Sequence, residues 1–167
     1  VFFVLSGRWR FFWGRWGTAG EVTLDPGDII NIPTGMFRGF ENIGTDYGMI
    51  MAILGGDDAG GGVIWAPQVI EDARDHGLIL AETGRLYDSH KGEQLPDGVA
   101  PMSLLTEQQL KLFPEPTTAE VVPNAVARYL DLMAFSDRAP AKVIGADALL
   151  VDRPGFEVAF LTRPSAQ

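Results

Sequence analysis

The stretch GDIINIPTGMFRGFEN, residues 27–42, sets two apolar runs around a Pro-Thr-Gly reversal. Ile29, Ile30 and Ile32 lead to Pro33, which cannot donate to a strand ladder, and Gly35 supplies the turn. Beyond it Arg38, Phe40 and Asn42 alternate with Gly39 and Glu41, so on an extended strand those three share one face. They bring a cation, an aromatic wall and an amide together. A guanidinium stays protonated and has no available lone pair, so Arg38 cannot ligate a metal. What it does well is grip a carboxylate or phosphate through two parallel hydrogen bonds.

The residues around this stretch read as short strands. Candidates are 1–5, 8–13, 21–24, 28–32, 37–42 and 49–54, and the DPGD of 25–28 puts Pro and Gly where a type II turn needs them. Strands at this spacing point to a mainly β sandwich or barrel. Val1 to Leu5 reads as a strand entered midway, which implies residues upstream. RWRFFWGRW, residues 8–16, has the local look of a membrane-active or base-stacking peptide. Its period-two alternation favours a strand, with Trp9, Phe11 and Trp13 on one face. That face is expected to be covered by another chain or domain, and the open sheet edges by the C-terminal strands, by strands upstream or by a second chain.

Composition narrows the function classes. The 167 residues are 46% apolar, enough for a core, and carry a net charge of -9. Residues 1–20 hold Arg8, Arg10 and Arg15 and no acid, leaving 10 bases against 22 acids in the other 147. That balance argues against nucleic acid or an anionic membrane as partner. With no cysteine there is no disulfide framework, thiolate nucleophile or Cys-based zinc site, which agrees with a cytoplasmic location. No run of about 20 apolar residues suggests a membrane span.

The texture changes after Leu54. GGDDAGGG, 55–62, reads as a connection; Asp57 and Asp58 lack the spacing of a calcium loop. APQVIEDARDHG predicts a short helix between Pro67 and Gly77, with Val69, Ile70 and Ala73 facing the body. Residues 81–105 read as mostly loop, and Thr106 with Gln109 as a capping box. Apolar spacing at Val122, Val126 and Met133 predicts a helix over 123–135. The tail predicts strands at 148–151 and 156–161 around a DRPG turn. The resulting division is a barrel portion at 1–56, a connecting region at 57–140 and C-terminal strands at 141–167.

The spacing of Gly27, Pro33, Gly35, Arg38 and Asn42 resembles the second cupin motif, in which His stands at the position of Arg38. FFVLSGRWRFFWG similarly resembles the end of the first cupin motif and the strand after it, closed by Gly7. The resemblance covers residues 1–54. It implies a jelly-roll barrel with a pocket in its mouth, into which Arg38, Phe40 and Asn42 face. Cupins hold a metal there with two His and a Glu from the first motif and one His from the second. In that pattern the Glu falls one position before Val1, so this chain supplies none of the four. The stretch 63–80 looks like the link between the halves of a bicupin.

Two classes follow. One is a metal-free cupin half that uses Arg38, Phe40 and Asn42 to bind a small carboxylate or aromatic ligand, or serves assembly as a homo-oligomer or beside a second cupin half. The other is part of a dioxygenase-like or isomerase-like bicupin whose Fe, Mn or Zn is held by ligands elsewhere. Arg38 also has a purely structural reading, as the partner of an acid at the rim. His76 at a helix end, and His90 beside Asp88 and Ser89, are too few and too local for a metal site or a triad.

Overall fold

The computed structural model describes residues 1–33, 35–53 and 63–131, with the backbone of two short strands near the C-terminus. The chain forms two compact units, one from Val1–Gly55 with Pro114–Gln167 and one from Gly56–Phe113. The first unit begins with β1 (Phe2–Ser6), β2 (Trp9–Trp13), β3 (Gly20–Leu24), β4 (Ile29–Ile30), β5 (Arg38–Asn42) and β6 (Met49–Ala52). All six fall where alternation predicts them. The basic aromatic stretch is β2, and acids on its neighbours meet its outer charges: Arg10 reaches Glu41 at 2.9 Å and Glu21 at 3.6 Å.

The second unit holds α1 (Pro67–Asp75), β7 (Leu78–Leu80), β8 (Leu86–Asp88) and α2 (Glu107–Leu110). Pro67 opens α1 and Gly77, at φ 77°, follows its end, as expected. Ile70 is buried but Val69 is not, correcting the expected inward face: a nine-residue helix buries a narrow stripe, and Val69 lies about 100° round from Ile70. Residues 81–105 are mostly loop, as expected, but they contain one short strand that the sequence did not announce. Leu86, Tyr87 and Asp88 pair with Leu80, Ile79 and Leu78 in a hairpin around Ala81–Gly84, and Tyr87 is buried. The Thr106–Gln109 capping box is present as predicted.

The chain then returns to the first unit with α3 (Thr118–Ala125) and β9 (Val126–Ala127), and β10 (Leu150–Asp152) pairs with β11 (Phe156–Val158). The helix predicted over 123–135 is interrupted: residues 123–125 end α3, 126 and 127 form a strand, 129–131 are helical again, and 132–135 lie outside the described residues. A capping box at Thr117 and Glu120 starts α3 earlier, and Val126 and Ala127 leave it to pair with Ile30 and Ile29 of β4. The connection at 55–62, the DRPG turn and residues 132–149 and 159–161 lie outside the described residues.

The fold is mainly β, with antiparallel sheets and a few short helices. Of the two larger sheets, one has the order β6-β1-β4-β9 and the other β3-β2-β5. Among the described residues no ladder joins them. Their inner faces share one core, in which Phe2 and Val4 of β1 and Ile30 of β4 pack with Phe11, Trp13 and Leu24. Val121 and Ala125 of α3 cover one end. Most of the aromatic face of β2 is buried within its own chain: Phe11 and Trp13 are 0% exposed, the Trp13 indole donates to the Pro116 carbonyl at 2.7 Å, and Trp9 is half-buried. Gly20 is required here, because a Cβ would come within 2.6 Å of the Trp13 ring. Among the described residues no helix is long and apolar enough to cross a membrane.

The DPGD turn fastens the returning segment. The nearly buried Asp28 carboxylate accepts from the Asp25 N–H at 3.0 Å, the Tyr129 N–H at 2.9 Å and the Arg128 guanidinium at 2.8 Å. Arg128 also donates to the Thr23 carbonyl at 2.7 Å. Gly27, at φ 92°, leaves room for the Tyr129 ring, which a Cβ would meet at 2.6 Å.

Truncating Asp28 removes the acceptor of two backbone amides and the counter-charge of the half-buried Arg128, which keeps only the Thr23 carbonyl. Asp28→Ala should cost about 2–4 kcal/mol in denaturant unfolding, and a cycle with Arg128→Ala should show coupling above about 1 kcal/mol. Additive losses would mean that the pair is not a unit. Acid should weaken α3 as well. The Thr117 N–H and O–H hold the Glu120 carboxyl below its ordinary pKa. Its contribution is present above the ordinary glutamate range and is lost as pH falls through the lowered folded value. Glu120→Gln, which keeps the capping geometry, should flatten that part of the acid-unfolding profile.

Candidate functional site around Arg38

The pairing of β5 on β2 decides which way its side chains face. Arg38, Phe40 and Asn42 lie opposite Trp13, Phe11 and Trp9. Opposed residues share a face, and Phe11 and Trp13 point into the core, so Arg38, Phe40 and Asn42 stand on the inner side of the sheet. Glu41 faces outward to Arg10. Gly39 makes room for Phe12 on that outer face, where a Cβ would meet the ring at 2.5 Å.

Phe40 is the centre of an aromatic group. Its ring lies 5.7 Å from Phe2, 6.0 Å from Phe11 and 5.9 Å from Trp9, in tilted or edge-on arrangements. Yet 49% of Phe40 remains exposed. One side of it completes the core and another is open.

Arg38 stands beside this group with its guanidinium carbon 6.0 Å from the centre of the Phe2 ring. Its Nη1 donates to the carbonyls of Pro33 and Met36, both at 3.4 Å. These are long, weak bonds. Among the described residues no carboxylate lies within ion-pair reach of Arg38, whereas Arg8 and Arg128 each have one and Arg10 has two. Arg38 is exposed as a residue, but partial burial of its head lowers the pKa from the ordinary arginine value. It remains a cation at neutral pH.

Asn42 shares the face but uses its amide locally. Its Nδ2 donates to the Asp46 carbonyl at 2.9 Å and its Oδ1 accepts from the Gly44 N–H at 3.0 Å, fastening the turn between β5 and β6. The open part of the site is therefore Arg38 and Phe40, with Phe2 beneath both. Sequence reasoning missed Phe2, because nothing local says that β1 lies across from β5. Phe2 to Leu5 are all apolar, so the sequence marks a strand there but not which of its faces turns inward.

The remaining candidates lie in the second unit. His76 caps the end of α1, with Nδ1 2.8 Å from the Asp72 carbonyl. His90 sits in a short 3-10 turn started by Asp88, whose side chain accepts the His90 N–H at 3.0 Å. Lys91, at 3.0 Å, holds the Asp88 carboxyl below its ordinary pKa, with help from the His90 N–H. Ser89 donates to the Gly77 carbonyl at 2.8 Å. These contacts build a turn. They do not converge as a triad.

The donor set does not fit a metal. Arg38 offers no lone pair, and among the described residues no three His, Asp or Glu side chains are grouped to hold an ion. Elsewhere an open depression of about 570 Å³ lies over the outer face of β2 and β3, lined by Arg10, Phe12, Trp16 and Glu21 among others. Its cation is already neutralised by Glu21 and Glu41, which makes it a weaker anion site than Arg38. No family model, curated protein or solved structure matches the chain.

The contacts of Arg38 predict its contribution to stability. Two long carbonyl bonds and one distant ring are lost in Arg38→Ala, and no buried acid is orphaned. The variant should lose less than about 1 kcal/mol in denaturant unfolding. A loss of several kcal/mol would mark Arg38 as a structural ion-pair partner.

Proposed function

We propose that this chain is a cupin-like binding module in which Arg38 takes the place of a metal and receives a small anionic ligand. One observation carries the reading: an arginine on the inner face of a sheet, beside a half-open aromatic group, with no carboxylate partner among the described residues. A partly desolvated cation lacking its counter-charge binds an anion more strongly than one fully in water. The strand–turn–strand frame from Gly27 to Asn42, with Gly27 and Gly35 both at positive φ, supports the jelly-roll likeness. So do the two sheets packed over one core.

On this reading the work of the site is recognition. The guanidinium fork orients a carboxylate or phosphate, and the Phe40 group bounds the space beside it. A bicupin reading, with metal chemistry supplied by another half, places no catalytic group among Arg38, Phe40 and Asn42.

Small anions should therefore stabilise the protein by mass action. At a hundredfold excess over Kd the gain is about 2.7 kcal/mol, which corresponds to a rise in Tm of about 5 °C or more. Arg38→Ala should abolish the shift, and Arg38→Lys should weaken it by losing the planar fork. No shift of wild type with acetate, benzoate or inorganic phosphate would overturn the reading.

A further inference from the structure

Arg38 and Phe40 are two residues apart on β5, so their side chains leave the same face about 6.5–7 Å apart. Phe2 lies under both, 6.0 Å from the guanidinium carbon and 5.7 Å from the Phe40 ring. A carboxylate held by the Arg38 fork points its substituent away from the guanidinium. Toward Phe40, that substituent meets a ring with about half its surface free. An acid with no ring would use the cation and leave this aromatic surface wet.

We infer that the ligand class is the aryl carboxylate, an anion and an aromatic ring in one small molecule, with its charge on Arg38 and its ring against Phe40. This rests on the anion-binding reading of Arg38 and narrows it. Phe2 and Phe40 are tilted by 54° to one another, so a further ring can meet an edge and a face, as ring quadrupoles prefer. Such contacts are worth a factor of about 2 to 12 in affinity beyond the area buried. An aliphatic ring of equal size gains only the area. The discrimination resides in Phe40, the retention of charge in Arg38.

Isothermal titration at pH 7 with acetate, cyclohexanecarboxylate, benzoate, 3-phenylpropionate and phenol tests this. Benzoate or 3-phenylpropionate should bind at least tenfold more tightly than acetate, and more tightly than cyclohexanecarboxylate or phenol. Phe40→Leu and Phe40→Met should remove the preference for the aryl acids, bringing the benzoate-to-acetate affinity ratio close to one. Two variants, checked for native far-UV circular dichroism, guard against one that fails to fold. Equal binding of acetate and benzoate would overturn the aryl inference while leaving the anion site standing. Phenol bound as tightly as benzoate would overturn it too, as would benzoate affinity lost in Trp16→Ala and kept in both Phe40 variants. Failure of every carboxylate to bind would sink this inference together with the anion site on which it rests.

Discussion

The carboxylate of Asp28 ties the first unit together. It sits in the turn between β3 and β4 and accepts hydrogen bonds from Arg128 and Tyr129, 100 residues away along the chain. Without that anchor β9 would have only two residues with which to hold the edge of β4. The covering of Trp13 depends on the same returning segment, because Pro116 and α3 precede β9 directly. Burying one carboxylate is unfavourable unless its lone pairs are met, and here three donors meet them. The same requirement fixes the position of 126–129 on the sheet.

Much of this unit was legible in sequence because its strands alternate cleanly. In β2, Phe11 and Trp13 had to share one side of their strand, and in β5 Arg38, Phe40 and Asn42 had to share one side of theirs. The DPGD turn was legible for the same local reason. The segment after Pro114 was harder. Its apolar residues recur at helical spacing up to Val126, yet the ladder with β4 takes Val126 and Ala127 into a strand. A tertiary hydrogen-bond partner outweighed local periodicity, and no local pattern announces such a partner. The three-residue β8 escaped notice because alternation over so short a run carries little signal.

The site divides along the same line. That Arg38, Phe40 and Asn42 share a face follows from strand geometry. That Asn42 fastens its own turn, and that Phe2 underlies the other two, follows from loop closure and sheet packing. The contrast among the arginines is likewise spatial. The charge of Arg10 is met on the outer face by acids from two neighbouring strands, while Arg38 emerges on the inner face, where its neighbours are rings and carbonyls. Side of the sheet, rather than distance along the chain, separates a neutralised cation from an available one.

The return of residues 114–127 to the first unit also makes 56–113 a single detour between two parts of one core. The entropy of closing a chain loop grows only with the logarithm of its length, so doubling such a detour costs about 0.6 kcal/mol. The core around Phe11 and Trp13 therefore places little constraint on how long the excursion is. A longer, shorter or different passage here is compatible with intact sheets, the Asp28 anchor and the Arg38 face. Variation in size should concentrate there, and the two flanking pieces should change together.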